Sequence, residues 1–220
     1  VDAPLSTPLP IVLHEASYST FNMGSWSLSR KELSTIDPLP NRKIWPLTAT
    51  HGDRKYGGSV TLDHSKEVGV IPLPYGARQI SGAELVEIQR NQLGTILAEA
   101  APGQLEYQVE WHGHNDFAAA PNANDLEVPE NYRAALEQVA AEMDLERDNH
   151  NAAVRQIKQF FSAEFKYSLI QRGFYPGRTA LVDFLLRIRR GHCEYFASST
   201  VLLLRLAGIP SRYAVGFVAD

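Results

Sequence analysis

Cys193, the single cysteine of this chain, sits in Arg189-Arg190-Gly191-His192-Cys193-Glu194-Tyr195-Phe196-Ala197-Ser198, where an apolar helix is predicted to begin. The thiolate is the reactive form of cysteine, and the free N–H groups and dipole of a helix N-terminus favour negative charge. Arg189 and Arg190 add positive charge nearby, and Gly191 permits a close approach of chain or substrate. The same N–H groups could hold the oxyanion of an acyl-transfer intermediate. The chemistry these residues suit is attack by sulfur on a carbonyl. The competing reading is a small buried hydrophobe, the commonest role of a lone cysteine. His192 is adjacent to Cys193 and so projects about 100° away along a helix, which suits tuning of the loop better than taking a proton. Glu194 fits a first-turn acid that complements the helix dipole, in contact with solvent or an arginine. Tyr195 either lines a cleft beside the cysteine or packs.

Other titratable residues offer less. His112 and His114 flank Gly113 just after a predicted strand, but as a metal pair they lack a third ligand and read as loop histidines. His14, His51, His64 and His150 have no supporting context, so none is a convincing base for Cys193. Asp183 reads as a cap or an arginine partner. Trp26, Trp45 and Trp111 read as β-core residues. There is no phosphate-binding loop, no dinucleotide glycine fingerprint and no Cys/His metal set, so neither cofactor nor metal is expected.

The elements that must position Cys193 follow from periodicity. Six of the 13 prolines fall in the first 50 residues, which argues against long helices there. Ile11–Leu13 and Ala16–Phe21 read as extended pieces, with Asn22-Met23-Gly24-Ser25 as a turn. Between Gly57 and Trp111, Ser59–Leu62, Glu67–Ile71 and Ala83–Ile88 look like strands. Leu105–Trp111 alternates strictly, with Leu105, Tyr107, Val109 and Trp111 on one face. Residues 118–125 read as a linker, after which the period becomes helical. Pro129–Met143 carries Tyr132, Leu136, Val139, Ala140 and Met143 on one side. Asn151–Phe165 does the same with Val154, Ile157, Phe160 and Phe161. The seven acids against two arginines between Glu127 and Asp148 read as a solvated helical face. Phe165–Leu169 reads as a short extended segment and Thr179–Ile188 as a helix. Cys193–Leu206 is apolar nearly all round, as a central helix must be, and Gly208 and Pro210 end it. Arg212–Val218 alternates as a strand.

The chain of 220 residues, with a net charge of −4, has material for one large domain or two small ones and no basic footprint for nucleic acid. No apolar run reaches the length of a membrane span. One cysteine forms no internal disulfide, so the redox compartment is not legible from cysteine usage. The start at Val1 reads as a processed or excised segment of a longer protein. The expected domains are a β-rich module over 1–125 and a helical core over 126–220.

Taken together, Asp183-Phe184-Leu185, Arg190-Gly191-His192-Cys193-Glu194-Tyr195-Phe196-Ala197 and Leu204-Arg205-Leu206-Ala207-Gly208-Ile209-Pro210-Ser211-Arg212, closing with Gly216, resemble the core of the transglutaminase-like superfamily. Phe165–Leu169 is similar to that family's element upstream of the cysteine. The match is closest to bacterial, membrane-anchored transglutaminase-like proteins, in which the core follows a β-rich extracytoplasmic region. Leu73-Pro74-Tyr75-Gly76-Ala77-Arg78 is loosely similar to that region. The resemblance implies an α+β fold with a partial papain-like core around a central cysteine-bearing helix. It implies Cys193 as nucleophile of a Cys-His-Asp triad, a protein or peptide substrate, and a periplasmic or extracytoplasmic location. Gly191, His192, Glu194 and Tyr195 would line the substrate cleft or the oxyanion site. In the family, histidine and aspartate lie on strands after the Gly-Ile-Pro-x-Arg strand, hence beyond Asp220, and the chain by itself is expected to be inactive or nearly so. A binding or assembly module that keeps the fold without catalysis is the alternative.

Overall fold

The computed structural model describes residues 10–27, 33–48, 56–112, 119–147, 149–170 and 179–219. His51, Gly113, His114 and Asp148 lie outside them. The chain forms two compact units, one from residues 1–17, 29–120 and 214–220 and the other from 18–28 and 121–213. Unlike a single division at 125/126, this partition groups the Trp26 segment with the helices and residues 214–220 with the strands.

The strand-rich unit is built on the hydrophobic alternation of Gly103–Trp111, which pairs antiparallel with Tyr56–His64 along its whole length, from Gly103 opposite His64 to Trp111 opposite Tyr56. Its inward residues Leu105, Tyr107, Val109 and Trp111 are buried with Trp45, Ile80, Ile88 and Ile96, as a period of two requires. The strand order in this sheet is Ile44–Pro46, Ala77–Ser81, Gly103–Trp111, Tyr56–His64; a second sheet runs Ser34–Ile36, Glu87–Arg90, Ile96–Glu99, Val68–Val70. The expected strand Ala83–Ile88 begins only at Glu87. Upstream, the Lys43 ammonium takes the carbonyls of Ala83 and Leu85, both at 2.9 Å, and so holds that stretch in a turn. Trp45 and Trp111 are core residues of this unit; Trp26 is not.

A third sheet places Ile11–Tyr18 between Leu73–Pro74 and Tyr213–Ala219. A Cβ added at Gly216 would fall 2.0 Å from the Leu13 carbonyl oxygen, a backbone contact that no rotamer change relieves. Gly216→Ala is therefore expected to destabilise the protein by roughly 1–3 kcal/mol or more. Gly57→Ala, whose new carbon meets nothing closer than 3.9 Å, should cost less. Urea denaturation of the two variants checks the order.

The helical unit contains α1 (Glu130–Glu142), α2 (His150–Glu164), α3 (Ala180–Asp183) and α4 (Cys193–Leu206). Tyr132, Leu136, Val139, Ile157, Phe184 and Leu202 are among its buried core. The apolar line of α2 runs through Ala153, Ile157 and Phe161, while Val154, expected on that face, is exposed. The helix expected over Thr179–Ile188 starts as α3 and widens into a π turn at Phe184–Ile188, closed by Arg189 N–H donating to the Phe184 carbonyl at 3.1 Å. The wide turn lets consecutive Phe184 and Leu185 both point inward. α4 ends in a Schellman motif: Gly208 (φ 78°) donates to the Arg205 carbonyl and Ile209 to that of Leu204, as a left-handed glycine after the C-cap allows. A hairpin, Thr20–Asn22 with Ser25–Ser27, turns through Met23 and Gly24, both at positive φ.

Candidate active site around Cys193

Cys193 is the first residue of α4 and is exposed, so it is not the buried hydrophobe of the competing reading. Among the described residues its sulfur makes no hydrogen bond. The N-cap, His192, has an extended backbone and provides no side-chain cap, which leaves the first-turn N–H groups without a side-chain acceptor.

The turn before the cysteine is held from three directions. Arg190–Gly191 pairs in parallel with Lys166–Tyr167, the short extended segment the sequence indicates. Gly191 is buried, and a Cβ there would meet the Phe184 ring at 3.0 Å and the Tyr195 Cβ at 3.2 Å; its role is close packing under the turn. Arg189 adopts a left-handed conformation (φ 47°) and donates to both carboxylate oxygens of Glu142, at 2.6 and 2.7 Å, and to Glu164 at 3.1 Å. Its guanidinium lies over the Phe160 and Phe165 rings. Glu142 above all holds the Arg189 pKa above its ordinary value. The charge expected to favour a thiolate is thus taken up by two carboxylates, and one acid of the supposedly solvated run has a structural partner.

His192 and Tyr195 engage each other edge-to-face at 4.8 Å, and Tyr195 also meets the Phe184 ring in a tilted contact at 5.3 Å. Glu194 is exposed. Glu194 and Tyr195 form part of the wall of a cleft of about 470 Å³ whose other residues include Phe21, Tyr132, Leu181 and Ser198. Tyr195 therefore both packs and faces the cleft. The Tyr132 hydroxyl is buried and has no hydrogen-bond partner among the described residues. Asp183 is buried beside Arg187, 3.6 Å away.

Two aromatic residues at the site escape sequence reasoning. Trp26 donates from Nε1 to the Ser198 hydroxyl of α4 at 2.9 Å and stacks on Tyr213, with centroids 5.1 Å apart and planes 13° from parallel. Burial first, and then the charges of Glu194 and Cys193, push the Tyr213 pKa up. Periodicity alone puts Tyr213 on an ordinary strand. The signal that could have found it is its position, directly after the Gly-Ile-Pro-Ser-Arg turn that closes α4.

That turn is secured by charge. Arg205, buried in α4, gives four hydrogen bonds of 2.8–3.0 Å to the carbonyls of Ser211, Glu127 and Ser19 and lies 5.2 Å from the Trp26 ring. Arg212 makes a bidentate pair with buried Asp125 at 2.7 and 2.9 Å. Asp125 also accepts from the Asn122 N–H in a capping box.

The described histidines of this unit are His192 and His150, the latter exposed at the start of α2. His14, His64 and His112 belong to the strand-rich unit, where His14 bonds Ser17 at 2.8 Å and the other two are buried. Among the described residues, no group of three or more His, Cys, Asp or Glu is placed to hold a metal.

Two predictions follow from this geometry. Burial would raise the Asp125 pKa, but the Arg212 hydrogen bond, the Asn122 N–H and the charges of Arg212 and Arg205 outweigh it, so the folded pKa is lowered. A depressed carboxylate pKa stabilises the fold above its unfolded value near 3.8, and that stabilisation is lost as pH falls through the lower folded value. Asp125→Asn should remove this acid-limb dependence in pH-resolved urea titrations while lowering stability at neutral pH. Separately, Gly191→Ala should tilt the first turn of α4, reducing stability by about 1–3 kcal/mol. Pairing it with Phe184→Leu, which relieves the nearest contact, should recover part of that loss.

The family model of the transglutaminase-like superfamily matches residues 137–220. No curated protein sequence matches the chain. Among solved structures, the chain is similar to the crystal structure of the periplasmic domain of TgpA from Pseudomonas aeruginosa bound to ethylmercury, with a TM-score of 0.67, 16% identity, and coverage of 98% of this chain and 74% of that one. At this identity the likeness is one of fold. Residues 137–220, which carry Cys193 and α4, thus match the transglutaminase-like superfamily, and the α+β fold is similar to that of the TgpA periplasmic domain.

Proposed function

We propose that Cys193 is the nucleophile of a cysteine-dependent acyl transfer on peptide or glutamine-type amides. The observation that carries this reading is an exposed thiol at the first residue of a buried helix, with a cleft along the same helix, inside the family-matching segment. The Cys193 thiol gives its proton to the general base as the sulfur bonds to the amide carbonyl carbon and the carbonyl electrons move to oxygen. Collapse of that oxyanion breaks the C–N bond, and the amine leaves with a proton supplied by the general base acting as acid. The thioester left on Cys193 is then taken by water or by an amine, which restores the thiol. The base and its orienting carboxylate are the histidine and aspartate of the superfamily's triad, assigned to positions following Asp220. Glu194 and Tyr195 line the substrate cleft, and Gly191 and His192 shape its entry.

An extracytoplasmic location, with a membrane-anchored parent, is part of this reading; its support is a neighbour that is itself a periplasmic domain. Among the described residues, no helix is long and apolar enough to cross a membrane. A binding or assembly module that keeps the fold without catalysis is the second reading.

Iodoacetamide should form a single adduct at Cys193, several-fold faster than N-acetylcysteine amide under the same conditions, and none on Cys193→Ala. Intact-mass kinetics measure this. A rate equal to that of the free thiol would count against an activated cysteine and leave the binding module as the better account.

A further inference from the structure

We infer that the cleft along α4 binds a neutral aromatic side chain ending in a hydroxyl, the tyrosine of a peptide, and that the Tyr132 hydroxyl selects it; this rests on the cleft being the substrate cleft of the proposed function. Its walls all belong to the helical unit, and its volume of about 470 Å³ is that of a small-ligand site. Phe21, Tyr132 and Tyr195 supply aromatic surface to it. Phe21 and Tyr132 meet at 5.2 Å with planes 51° apart. Aromatic rings favour such tilted and offset contacts, so a flat ring entering the cleft finds partners on more than one wall.

Tyr132 supplies the polar contact. It is fully buried on α1, yet its hydroxyl has no hydrogen-bond partner among the described residues. An unmet buried hydroxyl is a cost that phenylalanine at the same place avoids, and a ligand hydroxyl would remove it by accepting or donating one bond. The hydroxyl faces the turn of the Trp26 hairpin: a Cβ added at Gly24, itself a cleft residue, would stand 3.8 Å from it. Met23, the other residue of that turn and also a cleft residue, is 90% exposed. A side chain so exposed has little packing to lose when a ligand displaces it. Charge excludes the anionic relatives of such a ligand. Glu194 borders the cleft, is exposed and pairs with no described cation, and like charges set side by side reject a partner.

Ligand titrations followed by NMR test this on the 220-residue chain carrying Cys193→Ala, where thiol chemistry plays no part. N-Acetyl-L-tyrosinamide should bind about 5-fold or more tightly than N-acetyl-L-phenylalaninamide, and adding Tyr132→Phe should bring the two within about twofold. N-Acetyl-O-phospho-L-tyrosinamide, an anion, should bind several-fold more weakly than the tyrosine amide. Equal affinities for the two neutral amides, no saturable binding of either, a preference that survives Tyr132→Phe, or binding of the anion as tight as that of the tyrosine amide each overturns the inference. Tyr132→Phe should also keep a urea midpoint no lower than its parent's; a lower one shows that the hydroxyl has a structural partner and overturns its role in selection. Because Cys193 is absent from these titrations, they fail separately from the iodoacetamide test: selection of the tyrosine amide alongside an unactivated thiol assigns the cleft to the binding module.

Discussion

The helical unit depends on one buried cation. A guanidinium removed from water costs several kcal/mol unless its donors are all met. Arg205 meets that cost with three backbone carbonyls, from Ser19, Glu127 and Ser211, and with the face of Trp26. The three acceptors come from the hairpin segment, the approach to α1, and the turn after α4, so a single side chain fixes three separate stretches of backbone against α4. A lysine has the charge but not the planar fork, and could not satisfy carbonyls spread in this way. Around Arg205, Asp125 and Arg212 form a second pair that keeps the carboxylate ionised and the turn closed. Trp26, which lies against the Arg205 guanidinium, stacks in turn on Tyr213.

A second electrostatic arrangement holds the opposite end of α4. A left-handed backbone at a non-glycine residue costs about 1–3 kcal/mol, and Arg189 sustains it because its side chain ties the last turns of α1 and α2 together through Glu142 and Glu164. The π turn before it gains no hydrogen bond over an ordinary helix, yet it allows Phe184 to sit under Gly191. Widened turns of this kind tend to occur where a protein must aim a side chain rather than merely pack one.

What was legible in the sequence was local. The α4 span, the Schellman ending at Gly208 and the alternating face of Leu105, Tyr107, Val109 and Trp111 all follow from residue order, because their causes lie within a few positions of one another. What was not legible was made by distant partners. The bond between Trp26 and Ser198 joins residues 172 positions apart, and no period in the chain announces it; Trp26 therefore read as part of the β core. The apolar composition of α4 suggested burial throughout, whereas its first turn emerges to expose Cys193. The strand expected at Ala83 failed because a lysine 40 residues away captured its carbonyl. In each case a tertiary contact overrode a local preference.

The membership of residues 18–28 in the helical unit has a bearing on how the molecule can be divided. The family-matching span begins at residue 137, yet Ser19, Trp26, Asp125 and Glu127 all precede it. A polypeptide trimmed to that span would retain Cys193 and Arg205, but it would lose two of the three carbonyl acceptors and the aromatic face that make burial of that arginine tolerable. The family-matching span is thus narrower than the set of residues that bury Arg205, which reaches back to Ser19.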